Sequence, residues 1–163
     1  DGSNLVPGTI NPAYRGAKGV EARGLELEFA GEIAPGWNYF LGASTMDLKE
    51  GGEEFDTAKP RHTLKLFSTY TLPGALSQLT VGGGFRWQSE TYGEATNGEG
   101  VTHRVTQPNY MVVDAMARYE FNARWSAQLN VNNVFDKSYL ADAYTDSYYG
   151  NPLNAMLTVS ARF

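Results

Sequence analysis

Few residues in this chain could hold a metal, and they are scattered. His62 follows Pro60-Arg61 at what reads as a strand start, and His103 lies in a predicted loop. Neither has a second His or a carboxylate at ligand spacing, so no direct iron or zinc site is indicated. The acidic run Glu50-Gly51-Gly52-Glu53-Glu54-Phe55-Asp56 lacks the D-x-D-x-D-G order of a calcium loop, and a solvated loop is its plainer reading. Gly82-Gly83-Gly84 is followed by no Lys-Ser or Lys-Thr and sits inside an alternating stretch. It is therefore not a phosphate loop, and glycine there points to strong strand bending or a close backbone approach. Ser126 and Ser160 have no His near them in sequence and the chain has no Cys, so nothing proposes a catalytic nucleophile.

Composition narrows the classes further. With 13 Lys and Arg against 18 Asp and Glu, the net charge is −5 and no basic stripe appears, which argues against a nucleic-acid partner. The absence of Cys excludes a disulfide scaffold but leaves the compartment open. Eighteen Gly, three Trp, ten Tyr and eight Phe in 163 residues lean toward an all-β chain with many turns. No apolar run is long enough for a membrane helix, so a membrane role would need a β-barrel, whose strands take only about 9–11 residues each. The chain opens at Asp1 without Met or an apolar leader, and the expectation is a processed chain or a piece of a longer one.

The elements that would position any site follow from period-two patterning. Trp125, Ala127, Leu129 and Val131 take one parity, and Ser126, Gln128, Asn130 and Asn132 the other. A helical reading of the same stretch would put two amides on its apolar stripe and fails. The alternation recurs over 20–33, 37–46, 63–72, 79–88, 110–121 and 154–163, which predicts seven strands. Ala34-Pro35-Gly36, Pro73-Gly74-Ala75-Leu76-Ser77 and Asn122-Ala123-Arg124 read as tight turns. Longer polar loops, 47–61, 89–109 and 136–153, lie between them. In an up-and-down antiparallel sheet this gathers all the tight turns at one end and all the long loops at the other, as in an outer-membrane barrel with its long loops outside. Phe163 then ends at the inner rim, and residues 1–17 are expected to be the remnant of another outer loop.

Parity alone does not say which face is wet, since a small soluble β-barrel binding an apolar ligand also alternates, with its apolar side inward. Two features favour the membrane. Phe29, Trp37, Tyr39, Tyr70, Tyr119, Phe121, Trp125 and Phe163 gather near the tight-turn end, like an interfacial girdle. The small residues of the apolar face, such as Ala43, Ala115, Ala127 and Ala161, fill a jigsaw core poorly. An outer-membrane hydrolase trails both readings for want of a catalytic group.

The carboxyl-terminal third carries a resemblance. LNVNNVFDKSY from Leu129 to Tyr139, then Tyr148-Tyr149-Gly150-Asn151-Pro152 and the closing strand MLTVSARF, resemble the end of the TonB-dependent outer-membrane receptors. Ala22-Arg23-Gly24-Leu25-Glu26-Leu27-Glu28 and Pro60-Arg61-His62 resemble strands of the same family in the same order. LPGALSQLTVGGGFRWQSETYG, Leu72 to Gly93, is similar to its ferric-siderophore branch. The resemblance covers essentially the whole chain and implies an all-β, antiparallel, up-and-down transmembrane segment, about seven strands of a barrel of about 22. It implies import of a ferric siderophore across a Gram-negative outer membrane, with no cofactor and no enzymatic step, iron arriving already wrapped. Outer-membrane lipid, the remaining barrel strands, a plug domain absent from this stretch and TonB are the implied partners. Under it Tyr92, Tyr144, Tyr148 and Tyr149 could stack on the chelate, although packing the loops together is the plainer role. Arg86 and Arg118 could meet an anionic chelate or the plug, with ion pairs to Asp114 or Glu120 as the ordinary alternative. Phe163 is the implied terminal assembly signal.

Overall fold

The structure, a computed structural model, describes residues 19–96, 99–142 and 147–163. Its strands are β1 (Val20–Ala34), β2 (Trp37–Glu50), β3 (Glu53–Glu54), β4 (His62–Thr71), β5 (Leu79–Gln88), β6 (Thr91–Thr96), β7 (Thr102–Gln107), β8 (Tyr110–Glu120), β9 (Trp125–Asn132), β10 (Leu140–Asp142), β11 (Tyr148–Tyr149) and β12 (Asn154–Ala161). The seven predicted strands form one antiparallel sheet in the order β1-β2-β4-β5-β8-β9-β12. Each long strand pairs with the next long strand in the chain, the topology of an up-and-down wall.

The two faces differ as the alternation requires. Leu27, Leu129 and Val159 are 47%, 42% and 59% exposed. In a soluble barrel these residues would meet in a dry interior; here they are exposed, which does not favour that alternative. Among the described residues Val112 is the one buried apolar side chain, so the sheet is not organised around an apolar core. The opposite parity lines a concavity of about 670 Å³, with Arg118, Glu120, Ser126, Gln128, Thr158 and Ser160 among its residues. The wall is therefore greasy on one face and polar on its hollow face.

The register puts three glycines, Gly42, Gly82 and Gly84, on that hollow face, where Phe40 and Phe67 stand directly opposite each other. A Cβ at Gly84 would collide with the Leu66 carbonyl oxygen and the Phe67 backbone, and one at Gly82 would meet the Ser68 carbonyl. At Gly82 and Gly84 the backbone of the adjoining β4 leaves no room for a side chain, the close backbone approach that glycine permits inside a strand.

At the tight-turn end the Trp37 and Tyr70 rings meet edge-on at 6.3 Å and those of Tyr119 and Phe121 at 5.1 Å. Their polar handles are engaged: the Trp37 indole N–H donates to Ser68 Oγ at 2.8 Å, and the Tyr119 hydroxyl hydrogen-bonds Gln78 Oε1 at 2.8 Å. Gly36, at φ +79°, makes the first turn, a conformation open to glycine at little cost.

The predicted loops prove more ordered than their composition suggests. β2 runs four residues past the expected end at Met46, and β3 folds back on it, with Lys49 opposite Glu54. The stretch 89–109 contains the hairpin β6-β7, and 136–153 contains the short pair β10-β11. Their polar sequences alternate too weakly for period to find them.

Candidate functional site at the long-loop end of the wall

Side-chain packing concentrates where the long connections meet the hollow face. Asn133, just past the end of β9, lies in the left-handed region at φ +53° and is 2% exposed. Asparagine tolerates that conformation because its short amide bonds locally. Its Nδ2 donates to the carbonyls of Lys137 and Asn151, both at 3.0 Å, and its Oδ1 accepts from the Lys137 N–H at 2.8 Å. Its own N–H donates to Asp114 Oδ1 at 3.0 Å, which ties the turn to β8. Asp136, also at positive φ, accepts the Leu153 N–H at 2.9 Å. The two carboxyl-terminal motifs are thus halves of one bonded turn.

Tyr139 extends the same unit. Its ring stacks on Tyr110 at 4.3 Å between centroids and 25° between planes. Gly150 backs it so closely that a Cβ there would enter the Tyr139 ring, and the Gly150 N–H donates to the Tyr139 carbonyl at 2.9 Å. Gln107, 7% exposed, accepts the Leu140 N–H through Oε1 at 2.6 Å and so joins the β6-β7 hairpin to the turn. Between these rings and the wall lies a cleft of about 170 Å³ lined by Lys65, Arg86, Gln88, Tyr110, Val112 and Tyr139 among others.

The expected site residues divide. Arg86 lines this cleft, its Nε donating to Asp114 Oδ2 at 3.1 Å. Arg118 lies on the same face toward the tight turns and pairs with Glu120 at 2.9 Å. Both ordinary ion-pair readings therefore hold. Tyr92 fastens loops together, as its plainer role required. Its hydroxyl donates to Glu54 at 2.9 Å, its ring lies 3.4 Å beneath the Arg104 guanidinium, and its backbone exchanges bonds with Thr57. The bond to Glu54, with burial second, raises its phenol above the ordinary tyrosine range. Tyr148 and Tyr149, on β11, are 60% and 72% exposed, while Tyr144 lies outside the described residues. Phe163 is fully exposed just beyond β12. Among the described residues no three His, Asp or Glu side chains converge to hold a metal.

Sequence reasoning missed Lys65, Tyr110 and Tyr139. Lys65 had the signal of wet parity, the same as Arg86, and Tyr139 closes the quoted motif. The contact of Tyr139 with Tyr110 joins distant positions and left no local signal.

Comparison with known proteins agrees with this geometry. The family model described as TonB dependent receptor-like, beta-barrel matches residues 2–134. The ferripyoverdine receptor of Pseudomonas aeruginosa is 39% identical over 153 residues, covering 91% of this chain and 19% of the receptor. The ferrichrome outer membrane transporter/phage receptor of Escherichia coli is 30% identical, with 88% and 20% covered. The solved structure of the P. aeruginosa pyoverdine outer membrane receptor bound to pyoverdine superimposes with a TM-score of 0.85 at 37% identity, over 99% of this chain and 24% of that one. This chain spans about a fifth of the length of the curated relatives it matches. From its strand order, its two-faced wall and a family match running through most of its length, the chain belongs to the TonB dependent receptor-like β-barrel family.

Proposed function

We propose that residues 1–163 are the carboxyl-terminal portion of the barrel of a receptor in a Gram-negative outer membrane. That receptor binds a ferric siderophore and imports it, energised through TonB. One observation carries the reading: exposed apolar rows back a hollow polar face in a chain 39% identical to a ferripyoverdine receptor. The apolar rows suit acyl chains, with the aromatic ring of the tight-turn end at the inner interface. The hollow face suits a passage shared with a plug and closed by further strands, both supplied by the rest of the protein. Iron is cargo inside its chelate, and no bond is made or broken.

Tyr148 and Tyr149 expose rings on which a chelate can stack, and Tyr144 belongs to the same connection. Arg86 faces the passage near its outer end, while Tyr92 and Arg118 serve mainly in the contacts described above. Phe163 stands free at the inner rim as a terminal recognition signal for assembly.

The test is uptake of radiolabelled iron by iron-starved cells with and without the intact gene, supplied as ferripyoverdine, ferrichrome or a ferric catecholate. Deletion is expected to abolish uptake of one chelate and spare the others. Equal uptake of all three would overturn the substrate class.

A further inference from the structure

One cross-strand pair runs against the electrostatics of a sheet. Lys65 on β4 stands directly opposite Arg86 on β5, both on the hollow face. Like charges in that relation repel. The carboxylate nearest to hand is already engaged: Asp114 accepts Arg86 Nε through one oxygen and the Asn133 N–H through the other. Glu28 lies on the same row beyond Gly42, yet among the described residues Lys65 makes no ion pair. The cleft beside the two cations is small, about 170 Å³, and two phenols from Tyr110 and Tyr139 also line it. Gly150 and the Asn133 turn hold those rings in place. A small space with one surplus positive charge, a guanidinium, an ammonium and hydroxyl donors has the chemistry of a carboxylate receptor.

We propose that Lys65 and Arg86, with Tyr110 and Tyr139, form an anion subsite that takes a free carboxylate of the incoming chelate. This rests on the importer reading above. It adds a specificity element: the wall itself selects chelates whose periphery carries negative charge, independently of how the iron is wrapped. The anion offsets the repulsion between the two cations, so Lys65 gains a partner only when cargo is present.

The experiment uses the full-length receptor in detergent, with heat-modifiable gel mobility to check folding of each variant. Wild type, Lys65→Gln and Arg86→Gln are titrated with ferripyoverdine and with the same chelate after amidation of its free carboxylates. Amidation is expected to weaken binding to wild type roughly ten- to hundredfold, the range of a charge-assisted bond, and to leave Lys65→Gln nearly indifferent. Equal discrimination by Lys65→Gln and wild type would overturn the subsite.

A second measurement separates this from the importer reading. Amine-selective labelling of Lys65 is followed by mass spectrometry with citrate as the anion. Citrate is expected to protect Lys65 in wild type and to fail in Arg86→Gln. If wild type binds no ferripyoverdine but citrate protects Lys65, the substrate assignment fails and the subsite stands. If Lys65 is unreactive without citrate, or reactive and unprotected with it, the subsite fails, the first outcome meaning that an acidic group of the protein itself fills it. Glu28→Gln is expected to leave protection intact, and loss of protection in that variant would also count against the proposal.

Discussion

The wall and the rim at its long-loop end are held by different forces. Along the wall, backbone ladders in continuous register do the holding, and both faces stay open. At the rim, among the described residues, the buried side chains are mostly polar: Thr91, Gln107 and Asn133 join Val112. There, side-chain amides and carboxylates bind turn to strand. A wall of this kind tolerates exchange of one side chain for another of like polarity, because each contributes little beyond its face. The rim depends on particular atoms, and removing one leaves buried donors and acceptors unpaired.

Substitutions in the refolded full-length receptor can break or sharpen this contrast. The largest effect is expected from Leu129→Arg, which puts a cation on the apolar face at a cost of about 2–4 kcal/mol near the bilayer midplane. Gln128→Glu, one residue away on the wet face and directly opposite Arg118, is expected to cost little. Urea unfolding in lipid vesicles would check both, and equal losses would erase the distinction between faces. Asn133→Ala is next, at about 2–3 kcal/mol, since three side-chain bonds vanish and alanine must hold a positive φ. Faster amide exchange is expected at Lys137 and Leu153 and unchanged exchange in the ladder of β4 and β5. Gly150→Ala follows at about 1–3 kcal/mol, because the methyl must displace the Tyr139 ring. Loss of the Tyr110–Tyr139 stack would be read from the aromatic circular dichroism.

The smallest effect concerns protons. Because the folded state raises the Tyr92 phenol above its ordinary value, its bond to Glu54 contributes fully below about pH 10 and is lost as pH rises through the raised value. Glu54→Gln is expected to lower the Tyr92 titration midpoint toward the ordinary range, followed by NMR of labelled tyrosine. A midpoint that stays put would assign the shift to burial alone.

The same contrast explains what the sequence disclosed. All seven long strands, the three tight turns and the split into an apolar and a more polar face were legible, because side chains alternate between the two faces at every residue of a strand. The ion pairs of Arg86 and Arg118 were legible too, since Asp114 and Glu120 share their parity. What escaped was the rim. Thr91–Thr96 and Thr102–Gln107 pair with each other rather than with the wall and show no apolar face to give them away. Asn133 broke the alternation visibly, but a break does not reveal whether it marks a bulge or a left-handed hub. Its partners Asn151 and Asp114 lie 18 and 19 residues off, and the Tyr110–Tyr139 contact is likewise a product of the folded turn.

Gly84 carries a consequence for how this protein can vary. The atoms a side chain would strike there are the Leu66 carbonyl and the Phe67 backbone of the adjoining strand, which no repacking can clear. Most positions on the wall can drift between residues of one character, whereas this one has a single solution. A library randomised at the position and screened for folded, heat-modifiable protein is expected to return glycine, whatever else varies around it.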